Sequence, residues 1–82
     1  MPTPNYFTTN LYLASYLFAL DESAFIGLED GESSYQKFVF KPNLQSRLTT
    51  EVEREYWNGS GAIAPKKYAN AIKALKERIT HR

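Results

Sequence analysis

A chain of 82 residues with 43% apolar and 15% aromatic residues has enough large side chains to fill one hydrophobic core and is too short for two. With no cysteine in it, a disulfide framework and a thiolate zinc site are excluded, which fits a reducing, cytoplasmic setting. The net charge of +1 conceals a gradient, since residues 1–34 carry −5, residues 35–57 carry +1 and residues 58–82 carry +5. Either the basic end meets phosphate or an acidic protein surface, or the acidic front and basic back face one another in the fold.

Residues 1–8 contain two prolines and no periodic pattern, so they are expected to form an extended N-terminal arm; residues 9–82 form the domain. Thr9 or Asn10 suits the N-cap of a first helix, Leu11–Leu20, with Leu11, Ala14, Leu17 and Phe18 on one face. That run is too short to span a bilayer, and the first residues lack the basic segment of a signal peptide. Only Tyr12, Ser15 and Tyr16 interrupt it. A helix so apolar all round must be sandwiched within the chain or covered by another one, a partner or a second copy in a homodimer.

Residues 24–29 then alternate, with Ala24, Ile26 and Leu28 on one side. Asp30-Gly31 signals a turn, lengthened by Glu32, Ser33 and Ser34. Residues 35–41 have strong strand propensity, placing Phe38 and Phe40 on the buried face and Lys37, Val39 and Lys41 on the other. Pro42 closes the strand. Asn43 is expected to cap a second helix whose buried stripe is Leu44, Leu48, Val52 and Tyr56. Gly59 suits a left-handed C-terminal cap for it. Pro65 suits the first turn of a third helix, with Tyr68, Ile72, Leu75 and Ile79 as its stripe. The fold class is therefore α+β: a helix, a two-stranded antiparallel hairpin, then two helices packed on it. The expected core unites Phe38, Phe40, Leu48, Val52, Ile72, Leu75 and Ile79.

Catalytic constellations are nearly absent. The single histidine, His81, stands next to the last residue, where a nucleophile–histidine pair is not expected. Without cysteine and with one histidine the chain has no metal-ligand set, and no cofactor motif is present. Glu51, Glu53 and Glu55 point in different directions on a helix and form a solvated surface. Gly59-Ser60-Gly61 precedes a helix start, where anions can bind, but it lacks the spacing of a phosphate-binding loop, and capping explains the glycines as well. Trp57, about 100 degrees from Tyr56 on the helix, falls at the edge of the core. There it either stacks on a nucleobase or plugs the corner between helices.

Tyr35, Phe38, Val39 and Phe40, then Glu55-Tyr56-Trp57-Asn58-Gly59, then Pro65, Tyr68, Ala71, Leu75, Lys76, Arg78 and Ile79 form a pattern. With the opening Thr8-Thr9-Asn10-Leu11-Tyr12-Leu13-Ala14-Ser15-Tyr16-Leu17, it resembles an uncharacterised family of short domains of unknown function from phages, plasmids and bacterial genomes. The resemblance implies a mobile-element setting and a part in replication or DNA handling, and it implies no catalytic residue. Together the readings point to a non-enzymatic phage or mobile-element accessory protein that binds nucleic acid. Lys37, Lys41, Lys66, Lys67, Lys73 and Lys76 would meet phosphates, suiting backbone contact better than base readout, and Trp57 or Tyr68 would stack. The alternative is a protein-interaction module, such as a phage inhibitor, a regulator or an assembly component, contacting its partner through Tyr12, Tyr16 and Phe18.

Overall fold

In the computed structural model, which describes residues 4–30, 36–44, 47–59, 61 and 63–80, Asn10 opens helix α1 (Leu11–Leu20). Its side-chain oxygen accepts from the Tyr12 and Leu13 amides at 2.9 and 3.2 Å, satisfying donors that the helix start leaves unpaired. Every residue from Leu13 to Ala19 is buried. Ser15, buried among the aliphatics, donates to the Leu11 carbonyl at 2.8 Å, which satisfies its hydroxyl within the helix.

After a 3-10 turn at Glu22–Ala24, strand β2 (Phe25–Asp30) pairs antiparallel with β3 (Gln36–Phe40). The turn expected at Asp30-Gly31 and Glu32 to Ser34 lies outside the described residues beyond Asp30. Helices α2 (Thr49–Asn58) and α3 (Pro65–Thr80) follow. The architecture is α+β, in the expected order of helix, hairpin, helix, helix, with additions at the N-terminus and before α2. Phe38 and Phe40 join Leu13, Leu17, Phe18, Leu44, Val52, Ala71 and Leu75 in one core. Among the described residues, no helix is long and apolar enough to cross a membrane.

The first correction concerns the N-terminal arm. Tyr6–Thr8 form strand β1, antiparallel to β3, with Tyr6, Phe7 and Thr8 opposite Phe40, Val39 and Phe38. The sheet therefore has three strands in the order β1-β3-β2. This third strand also buries Val39, expected on the open face, because Phe7 lies beside it on one side and Gly27 on the other. A register shift between Phe25 and Gly27 breaks the expected alternation of Ala24, Ile26 and Leu28, and leaves Ile26 exposed.

The second correction concerns the start of α2. Residues Asn43 and Leu44 pair with Leu48 and Arg47 as two short strands, β4 (Asn43–Leu44) and β5 (Arg47–Leu48). The helix begins only at Thr49, and Asn43 does not cap it. Thr49 decides this: its amide donates to the Pro42 carbonyl at 2.9 Å and its hydroxyl to the Lys41 carbonyl at 2.7 Å. These two bonds hold the helix start against the end of β3, with Thr49 itself buried. Leu48 consequently leaves the expected core and is 46% exposed, while Leu44 is buried from its strand. Ile79 is half-buried and packs at the margin of the core, while Ile72, also half-buried, is not part of that cluster.

Phe40 has no exposed surface, and its ring lies 5.2 Å from that of Phe25. Phe40→Ala is expected to cost about 3–5 kcal/mol, from about a quarter to all of the roughly 4–12 kcal/mol that a chain of this length commands. Thermal unfolding should show a Tm lowered by more than about 10 °C or no cooperative transition. A Tm within a few degrees of the parent would mean that Phe40 does not sit in the core.

Candidate nucleic-acid interface

Helix α3 carries the basic residues. Ala71 and Leu75 are buried against α1, with Tyr68, Ala74 and Ile79 packed at the edges of that contact. Lys66, Lys67, Lys73 and Lys76 are all exposed. At 100 degrees per residue, Lys66, Lys73 and Lys76 fall opposite the Ala71–Leu75 seam, while Lys67 falls at its border. There Lys67 shares the lining of a recess of about 520 Å3 with Asn70, Asp21 and Glu22. Arg78, near the end of α3, stacks over the Phe25 ring at 5.1 Å. Phe25 pairs with Phe40, and Lys41 follows Phe40, its amide donating to the Ala24 carbonyl at 2.8 Å. The exposed Lys41 thus stands at the end of the sheet that α3 reaches through Arg78.

Lys37 is placed differently. It alternates with the buried Phe38 and so belongs to the outer face of the sheet, away from the helices. Its ammonium lies 5.9 Å from the centre of the Phe7 ring, and Glu29 is its cross-strand neighbour. The fold therefore brings Lys66, Lys73 and Lys76 together on one helix face and separates Lys37 from them by the sheet.

Trp57 is 59% exposed, so it does not plug a corner. Its ring meets the Tyr56 ring edge-on at 4.9 Å, and its indole N–H donates to a Glu53 carboxylate oxygen at 3.1 Å. The other Glu53 oxygen accepts from the Tyr6 hydroxyl at 2.5 Å. One carboxylate thus ties β1 to α2 and holds the indole. Its charge beside the ring disfavours Trp57 as a platform for a phosphate-bearing strand.

The expected protein-docking surface on α1 is not there. Tyr16 and Phe18 are each only 7% exposed, because the chain covers α1 itself. The Phe18 ring packs against Phe25 at 5.6 Å and the Tyr16 ring against Tyr56 at 5.4 Å. Only Tyr12, at 53%, reaches solvent.

A feature absent from the sequence reading lies where α2, the loop after it and α3 converge on α1. Tyr16, Tyr56, Gly59, Gly61, Ile63 and Tyr68 line a cleft of about 220 Å3. Gly59 ends α2 with φ of 71°, the left-handed cap expected of it, its amide donating to the Glu55 and Tyr56 carbonyls. Tyr68 donates to the Tyr12 carbonyl at 3.1 Å. Burial, and then the nearby Glu55 charge, raise the Tyr16 pKa; burial, and then Tyr56, raise that of Tyr68. Beside the cleft, Arg47 pairs with Glu55 through both guanidinium nitrogens, one at 3.1 Å. That hydrogen-bonded pair raises the Arg47 pKa and lowers that of Glu55. The only hint of the cleft in the sequence is the placing of Tyr56 and Tyr68 on either side of a glycine-containing loop.

No family model, curated protein or solved structure matches this chain, so its function is read from the arrangement of these residues.

The Tyr16 hydroxyl occupies the space into which a side chain at Gly61 would project. Gly61→Ala should therefore destabilise by about 1–3 kcal/mol, as overpacking does; urea midpoints within experimental error of each other would show that the Tyr16 hydroxyl lies elsewhere. The Tyr6 hydroxyl is held protonated well above the usual phenol range, first by burial and then by the bond to Glu53 and its charge. Below about pH 10 both the folded and unfolded states keep this proton, so the contribution is intact. Above it the unfolded state ionises first and stability falls toward the folded pKa. Urea unfolding from about pH 9 upward should show this decline, made shallower by Tyr6→Phe. Identical slopes for the two proteins would remove Tyr6 as its source.

Proposed function

We propose that this domain is a small, non-catalytic accessory protein of a phage or mobile element that binds nucleic acid through the outer face of α3 in the cytoplasm. The observation that carries the reading is the exposure of Lys66, Lys73 and Lys76 together, opposite the buried Ala71 and Leu75. These three ammonium groups extend over about 15 Å of helix, long enough to lie along several phosphates. Residues spread along a helix side in this way contact the backbone without reading bases. Lys41 adds charge at the end of the sheet that Arg78 approaches. The mobile-element setting rests on the resemblance of the aromatic and helical pattern to the short domains of phages and plasmids.

Neutralising about four phosphates gives a slope of log affinity against log salt near −3 to −4. A labelled oligonucleotide titrated at about 50 mM salt should bind, weakly and without sequence preference. The double variant Lys66→Glu with Lys73→Glu should abolish binding while leaving the Tm unchanged, since neither side chain enters the core. Absence of binding up to about 100 µM, the weak end of ordinary non-specific association, would overturn the nucleic-acid reading.

A further inference from the structure

We propose that the tyrosine cleft receives one unstacked nucleobase, so that the domain prefers single-stranded to duplex nucleic acid. This rests on the nucleic-acid reading of α3 and adds which part of the ligand enters the protein. The cleft, at about 220 Å3, is smaller than the sites that enclose a whole drug-sized ligand. It has room for a ring system, with the sugar and phosphate left outside.

Its lining suits that occupant. Three aromatic rings come from three helices, Tyr16 on α1, Tyr56 on α2 and Tyr68 on α3, and among the described residues Ile63 is the one aliphatic side chain in the lining. The Tyr16 ring is buried and tilted at 55° to that of Tyr56, so the faces open to a base are those of the half-buried Tyr56 and Tyr68. Of the two glycines in the lining, Gly59 borders open space, whereas the Tyr16 hydroxyl fills the space beside Gly61. Stacking on a phenol ring needs only the π face of a base and tolerates any sequence. The hydroxyl oxygens keep lone pairs that can accept from a base edge. Helix α3, which supplies Tyr68, also supplies Lys66 two residues earlier on the opposite side of the helix, so a strand held by that lysine reaches the cleft by turning round the start of α3. A base within a duplex is stacked and paired and must be extruded before it can enter.

The test compares probes of equal length and phosphate number at about 50 mM salt: a thymidine strand, the same sugar–phosphate strand without bases, and a duplex. The thymidine strand should bind at least about 5-fold more tightly than the base-free strand, the low end for stacking of one base, and more tightly than the duplex. Tyr68→Leu should remove that difference and Tyr68→Phe should keep it. Equal affinity for the strands with and without bases would overturn the cleft assignment and leave phosphate binding by α3 standing. No binding to any probe would overturn both. Should Tyr68→Leu not fold, the comparison of strands on the unaltered protein still decides.

Discussion

Helix α1 has no side turned to water between Leu13 and Ala19, and each remaining element is placed by the need to cover it. The sheet supplies Phe25, Phe38 and Phe40, α2 supplies Val52 and Tyr56, and α3 supplies Ala71 and Leu75. Burying Leu17 alone, with none of its surface exposed, contributes about 2–3 kcal/mol. Ala14, Ser15 and Ala19 contribute by being small, since they let neighbouring backbones come close to the helix. A helix that apolar cannot stand at the surface of a small domain, which is why the chain wraps it from both ends.

That wrapping rearranges the charge gradient. Asp21 and Glu22 at the end of α1 share a recess with Lys67, Glu29 lies across from Lys37, and Arg47 pairs with Glu55 within a single segment. Of these, only the recess brings the acidic front of the chain to its basic back. The side of α3 opposite α1 is turned outward and carries Lys66, Lys73, Lys76 and Glu77.

Local signals made much of this architecture legible. Asn10 and Gly59 terminate helices through bonds within a few residues of themselves, and the hairpin of β2 and β3 and the stripe of α3 follow short-range periodicity. Strand β1 was not legible because Tyr6-Phe7-Thr8 is too short to alternate and finds its partner at residues 38–40. The spacing of four from Leu44 to Leu48 imitates a helix, yet the carbonyls of Lys41 and Pro42 capture Thr49 and start α2 later. Exposure of the α3 lysines could be read from their places off the apolar stripe. The tyrosine cleft could not, because its walls come from three segments that meet only after folding. The apolar α1 suggested an outside partner for the same reason: its cover lies far along the chain.

The sheet order has a consequence for how the chain can be assembled as it is made. Both β1 and β2 precede their common neighbour, so neither edge has a hydrogen-bonding partner until β3 has left the ribosome. The apolar α1 emerges between them, and α3, which shields another of its flanks, comes last. The nascent chain therefore carries its most water-averse segment partly uncovered until residues 65–80 have emerged. With β1 meeting a partner some thirty residues away, its closure belongs to the slow, long-range class of folding steps. Such an intermediate is open to sticking to its neighbours, and the speed with which residues 65–80 dock once released governs how long that exposure lasts.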